Sequence, residues 1–176
     1  CDEFRRGTAS LIRELRPDAV IVTDSTGYGP IVLGDHPNLT QDERNGVWRR
    51  AHAAYLRELR GQGIAVGAII DTPRLPEDPV TCIGTRGVDA CAFGRAAAFS
   101  PGDPYRAAEA AARADVGDVP ALDINDTLCG PTMCPQRVGG EYAYVDVDHL
   151  HDRFVRTQSP AVQAFLADVL DRHGDV

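Results

Sequence analysis

The chain has 176 residues, 43% of them hydrophobic and 25% charged, a size and apolar content that suffice for one domain with its own core. Its formal net charge is -8 and its pI is near 5.0, with the arginines spread among Asp and Glu along the chain. Nucleic acid and anionic membrane surfaces are therefore excluded as main partners, because phosphate binding needs clustered Lys and Arg.

Residues 2–16 read as an amphipathic helix, with Phe4, Leu11, Ile12 and Leu15 on one face and Pro17 ending it. Ala19-Val-Ile-Val-Thr23 is a short unbroken apolar run, which fits a strand buried on both faces of a parallel sheet. The loop Asp24–Pro30 follows. Thr40-Gln-Asp-Glu43 is a capping box that opens a second helix. Its inner face is expected to carry Val47, Trp48, Ala51, Tyr55 and Leu59, and Gly61 and Gly63 stop it. Ile64–Ile70 reads as a second buried strand that ends at Asp71-Thr-Pro73.

Residues 74–102 read as a long loop. Its opening, Arg74-Leu-Pro-Glu-Asp-Pro79, carries prolines that a helix interior does not tolerate, and its length calls for a staple or a function. Asp103-Pro104 opens an Ala-rich third helix that runs through Ala114 and ends at Gly117. Val119–Ile124 is a third strand, Cys129–Gly140 is irregular, and Tyr142–Val145 is a short extended piece. Ser159-Pro160 starts a last helix with Val162, Phe165, Leu166, Val169 and Leu170 on one face. Alternation of helix and strand defines an α/β domain with a parallel sheet, one unit spanning 1–176. Such units usually begin with a strand, so a first strand is expected to be missing from the chain. No apolar run approaches the roughly 18 residues of a membrane span, and the opening Cys-Asp-Glu-Phe-Arg-Arg is not a signal peptide.

The five cysteines form two short brackets, Cys82/Cys91 and Cys129/Cys134, with Cys1 left over. Short Cys-to-Cys loops in Gly/Pro-rich segments suit local disulfides, and these imply an oxidising compartment. Reduced thiols and a metal site are the alternatives. The spacing of the first pair lies well outside that of zinc ligands, and no histidine pair stands at ligand spacing, so no metal is expected.

Ligands of open parallel sheets bind at the carboxyl ends of strands. Asp146-x-x-His149 is the sharpest chemical pattern in such a place. A carboxylate three residues before a histidine can accept the imidazole Nδ1 proton and leave Nε2 free as a general base. The alternative is a solvated Asp-rich turn with a surface histidine. Asp148 is the less well placed partner because it adjoins His149. His151 is expected to point elsewhere, His52 to be a surface residue of its helix, and His36 and His173 to play no part. Asp24-Ser25, after a buried strand, reads either as a nucleophile turn or as a loop serine that caps backbone groups.

Thr127-Leu-Cys129, Cys134-Pro135 and Tyr144-Val-Asp146-Val-Asp-His149-Leu150 together resemble the C-terminal SGNH domain fused to acyltransferase family 3 membrane proteins, which O-acylate cell-surface polysaccharides or peptidoglycan. Arg16-Pro-Asp-Ala-Val-Ile-Val22, Gly63-Ile-Ala-Val-Gly-Ala-Ile-Ile-Asp-Thr-Pro73, the Cys82/Cys91 loop and Leu122-Asp-Ile-Asn-Asp-Thr-Leu-Cys129 agree in order, so the resemblance covers most of the chain. It implies a three-layer α/β/α SGNH-hydrolase-like (flavodoxin-like) fold and a catalytic role for His149 and Asp146. The family's nucleophile lies in a Gly-Asp-Ser motif after its first strand, and no Gly-Asp-Ser occurs here: Gly34-Asp35 is followed by His36, and Gly102-Asp103 by Pro104. The expectation is an N-terminally incomplete domain whose serine, and the partner of Cys1, lie upstream. Ser25 is then assigned to the cleft, where the family places oxyanion-supporting groups.

The activity that the resemblance implies is O-acylation, in the simplest case O-acetylation, of a cell-surface carbohydrate. It needs an acyl donor, a carbohydrate acceptor and no cofactor. The setting is extracytoplasmic, with the domain tethered by an upstream membrane acyltransferase domain. A secreted SGNH carboxylesterase and a catalytically degenerate glycan-binding domain are the alternatives.

Overall fold

The computed structural model describes residues 2–25, 38–99, 103–117 and 119–174. Cys1, the Gly34-Asp35-His36 stretch and most of the Asp24–Pro30 loop lie outside the described residues. The first half of the chain folds as α1 (Asp2–Leu15), β1 (Ala19–Thr23), α2 (Gln41–Gly61) and β2 (Ala65–Ile69). Then come α3 (Pro79–Arg86), a 3-10 turn (Asp89–Cys91), β3 (Phe93–Gly94), α4 (Arg95–Phe99), α5 (Asp103–Asp115) and β4 (Ala121–Leu122). The last part holds α6 (Asn125–Leu128), β5 (Met133–Cys134), β6 (Arg137–Val138), β7 (Glu141–Tyr142), α7 (Asp152–Thr157) and α8 (Ser159–Gly174).

Strands β1, β2 and β4 form a parallel sheet in that order, with Ala19–Thr23 in register with Ala65–Ile69. Apolar runs without alternation suit it because both faces are covered. Val22 and Val66 pack with Leu56 and Leu59 of α2, with Ile12 of α1 beside them. Ala65, Ile21 and Ile69 pack on the other face against Phe165 and Val169 of α8. Gly67 lets α8 lie this close: a Cβ there would stand 2.6 Å from Val169 Cγ2 and 2.7 Å from the Phe165 ring. The third strand is shorter than its apolar run. Pro120 has no N–H to donate, and the Asp123 carboxylate accepts from Asn125 N at 2.9 Å and turns the chain into α6.

The Thr40 capping box forms as expected, with Thr40 N donating to Glu43 Oε2 at 2.7 Å and Glu43 N to Thr40 Oγ1 at 3.3 Å. Gly63, at φ +74, turns the chain out of the helix end. The inner face of α2 differs from the expected one. Ala51 is exposed, and the buried set is His52, Ala53, Leu56 and Leu59. Helix α2 packs on α5 as well as on the sheet. Trp48 meets Tyr105 at 5.1 Å between ring centroids, and Arg49 pairs with Asp115 at 2.5 Å. Two buried stripes therefore replace one, and the sheet-facing stripe carries a histidine. On α1, Phe4, Leu11 and Leu15 remain exposed while Ile12 packs inward.

Residues 74–99 are not a loop. Asp78 caps α3, its Oδ1 accepting from Thr81 N at 2.8 Å, and Pro79 occupies the first helical position, where no N–H is needed. The Cys82–Cys91 disulfide ties α3 to the turn before β3, and Cys129–Cys134 ties the end of α6 to β5. Strands β3 and β5 pair antiparallel, Phe93 opposite Cys134, so the ladder begins two residues after Cys91 and includes Cys134. The segment expected to be irregular, Cys129–Gly140, thus contains β5 and half of the β6–β7 hairpin. A third core forms here from Leu75, Phe93, Leu128, Cys129, Cys134, Tyr144 and Phe154, distinct from the two cores on the sheet.

Candidate functional site

Val145–His149 is a closed turn at the rim of this disulfide-bonded core. Val145 N donates to His149 O at 3.0 Å, Tyr144 bridges Leu150, and His151 N donates to Ala143 O at 2.8 Å. The base of the turn is anchored by buried Tyr144, which packs edge-on against Phe93 at 5.9 Å. Its outer limb is held by the segment after β2. Leu75 N donates to Val147 O at 2.7 Å, and Arg74 Nη1 meets Asp148 Oδ2 at 3.2 Å. The turn is thus tied to Arg74 and Leu75, in the segment that follows β2.

Asp146 is the hub. Its Oδ1 accepts from Asp148 N at 3.0 Å and from His149 N at 2.8 Å. The His149 ring lies with Nδ1 at 3.0 Å from Oδ1 and 2.9 Å from Oδ2. The backbone bonds, that from Asp148 first, and the His149 ring lower the Asp146 carboxyl to about 2. The same contact with Asp146, aided by the charge of Asp148, raises the His149 pKa above its ordinary value of 6.5. Asp148 stands 3.2 Å from His149 Nδ1 but divides itself with Arg74. The His149 side chain is 76% exposed, so Nε2 faces solvent while Nδ1 is held. Held this way, an imidazole carries its proton on Nδ1 and presents a lone pair at Nε2 for a substrate proton.

The other residues singled out in the sequence lie outside this bonded pair. Ser25 is exposed just past β1, and the His149 ring is bonded to carboxylates rather than to it. His151 caps α7, its Nδ1 accepting from Arg153 N at 3.2 Å and lying 3.0 Å from Asp152 Oδ1. His173 is exposed near the end of α8, and His36 lies outside the described residues. Cys82, Cys91, Cys129 and Cys134 pair as the spacing proposed. Disulfides suit an oxidising, extracytoplasmic setting. Among the described residues no helix is long and apolar enough to cross a membrane.

His52 corrects the expectation of a surface residue. It is 8% exposed, and its Nδ1 lies 2.7 Å from Asp24 Oδ2. Glu109 of α5, itself 5% exposed, accepts from Trp48 Nε1 at 3.1 Å. Burial, reinforced by the charge of Asp24, raises the Glu109 carboxyl to about 7 against the pull of the Trp48 bond. The cluster escapes sequence reading because its members lie on three elements and a helical histidine between apolar neighbours carries no local signal. Two groups among the described residues therefore bring metal-ligand types together: half-buried Asp146 with exposed Asp148 and His149, and half-buried Asp24 with buried His52 and Glu109.

A cleft of about 630 Å3 opens along the carboxyl ends of β2 and β4, lined in part by Arg95, Arg106, Glu109 and Asn125. Arg106 and Asn125 both donate to the Asp71 carbonyl at the end of β2, Asn125 Nδ2 at 3.1 Å. Comparison of the chain with protein families, with curated proteins and with solved structures yields no match.

Proposed function

We propose that this chain is an SGNH-type acyl-transfer domain, of the three-layer α/β/α kind, that O-acylates a cell-surface carbohydrate. The observation that carries the reading is the Asp146 carboxylate on His149 Nδ1 with Nε2 open to solvent. In the proposed reaction a serine of the longer protein attacks the donor's carbonyl carbon as His149 Nε2 takes its hydroxyl proton. The tetrahedral intermediate collapses, and the donor's leaving group departs with that proton. A carbohydrate hydroxyl then attacks the acyl-serine, His149 takes the hydroxyl's proton, and that proton returns to the serine oxygen. Asp146 keeps the ring in the required tautomer and stabilises the imidazolium in between. The two disulfides support an extracytoplasmic site of action; tethering by a membrane acyltransferase domain of the same protein is proposed in addition. The openness of the His149 ring favours hydrolysis as the second reading, with water replacing the carbohydrate.

The test uses the longer protein that carries the serine. His149→Ala is expected to cut acyl transfer by about a thousandfold or more, with the circular dichroism spectrum unchanged, and Asp148→Asn to stay near the parent rate. A folded His149→Ala protein that transfers at the parent rate overturns the assignment and favours a glycan-binding role. The 176-residue chain alone is expected to show negligible turnover of p-nitrophenyl acetate. Turnover that disappears in Ser25→Ala would instead make Ser25 the nucleophile.

A further inference from the structure

We infer that Asp24, His52 and Glu109 form a binding site for a divalent transition-metal ion at the carboxyl end of β1. Three elements supply the donors: the chain just past β1, the middle of α2 and the middle of α5. Each residue offers one ligand atom, and these atoms lie within 4.8 Å of one another. Donors bound to one first-row ion at about 2.0–2.2 Å stand roughly 3–4 Å apart. Side-chain adjustment alone therefore closes the set around an ion.

His52 supplies an independent observation. Its ring is buried, Nδ1 faces Asp24, and Nε2 has no hydrogen-bond partner among the described residues. Buried polar atoms without partners are rare, and an imidazole nitrogen lone pair is satisfied by a proton donor or by a metal. Before an ion enters, the Asp24 carboxylate holds the ring's orientation and tautomer. The Trp48 indole, donating to Glu109 Oε1, orients that carboxylate in the same supporting manner. With all three residues on the ion, the Asp24 carboxylate turns from the ring to the ion.

The donor set selects the ion class. One imidazole and two carboxylates suit Zn2+, Mn2+ or Fe2+; Ca2+ and Mg2+ prefer all-oxygen shells, and no thiolate is present for a soft ion. The two carboxylates, Glu109 buried and Asp24 at the half-buried edge, converge on one place, where a dication would offset the charge they carry. Such an ion would pin the carboxyl end of β1 to α2 and α5. The site stands apart from the proposed acyl-transfer pair, since none of its residues belongs to the Asp146–His149 turn.

The test is titration of EDTA-treated, dialysed protein with Zn2+ alone. Binding is followed by calorimetry and by the emission of Trp48, the single tryptophan, which bonds directly to Glu109. The expected result is saturable uptake of about one ion that changes Trp48 emission. Binding should be lost in His52→Ala and weakened about tenfold or more in Glu109→Gln. It should persist in His149→Ala, which disables the exposed cluster instead. Should the buried variants fail to fold, as judged by circular dichroism, Asp24→Asn at the edge of the site is the substitute, with weakening again of about tenfold or more. Absence of saturable binding, binding indifferent to the His52, Glu109 and Asp24 substitutions, or binding that vanishes in His149→Ala overturns the inference.

Discussion

Asp146–His149 and Asp24–His52 make the same contact, a carboxylate oxygen on Nδ1, at 2.9 Å and 2.7 Å. Solvent separates them. The His149 side chain is 76% exposed and the His52 side chain 7%. The exposed pair hangs on a hydrogen-bonded turn over the disulfide core, with its free nitrogen turned outward. In the inner pair, His52 is buried, Asp24 is half-buried, and a second carboxylate, buried Glu109, stands beside them. One contact thus stands in two settings: outside, it leaves a ring open to solvent, as the proposed general base requires; inside, it holds a ring that its neighbours enclose. A carboxylate–imidazole contact therefore says little about function until the accessibility of the other nitrogen is known.

That contrast can be broken most forcefully through activity. In the serine-bearing protein, Asp146→Asn is expected to lower acyl transfer by several orders of magnitude, because an amide can donate to Nδ1 and favour the wrong tautomer. The melting temperature should barely move, since the pair is a surface pair. His52→Ala should do the opposite. It removes a buried ring and the partner of Asp24, so a loss of about 2–4 kcal/mol of unfolding free energy is expected by denaturant titration, with acyl transfer retained at temperatures where the protein is folded. Equal stability losses from the two substitutions would erase the distinction.

A smaller effect is expected from the staple beneath the exposed pair. Replacing Cys129 and Cys134 together by Ser opens a loop of sequence separation 5 and should cost about 2 kcal/mol. The turn rests on the core that this disulfide helps to build, so hydrogen-exchange protection of the Val145 amide should fall with it. Unchanged protection would show that the Leu75–Val147 bond alone sustains the turn.

Legibility followed locality. Strands β1 and β2 stood out because their apolar runs are unbroken, and Asp146–His149 because the partners lie three residues apart in one turn. The helices between Pro79 and Phe99 were hidden. Pro79 looked like a helix breaker, yet it sits at the first helical position, where its missing N–H costs nothing, behind the Asp78 cap. The third strand shrank for a related reason, Pro120 interrupting what looked like a six-residue run. His52 was hidden most completely. Apolar counting along α2 skipped the polar residue in the sheet-facing stripe, and its partners come from β1 and α5, far away in sequence. The α/β class and the disulfide pairing were readable; the short ladders of the disulfide region and the buried cluster needed the tertiary contacts.

The most direct test of the exposed pair is nitrogen NMR of the His149 ring across pH in the chain as it stands. Asp146 is lowered and His149 raised, so the pair's contribution to stability is present above the unfolded carboxyl pKa and below the unfolded imidazole pKa. It is lost as pH falls through about 2 and as pH rises through the raised His149 value. The account predicts a His149 pKa above 6.5, a neutral form protonated at Nδ1 and bare at Nε2, and a return of the pKa toward 6.5 in Asp146→Asn. A neutral His149 protonated at Nε2, or a pKa indifferent to Asp146→Asn, would contradict it.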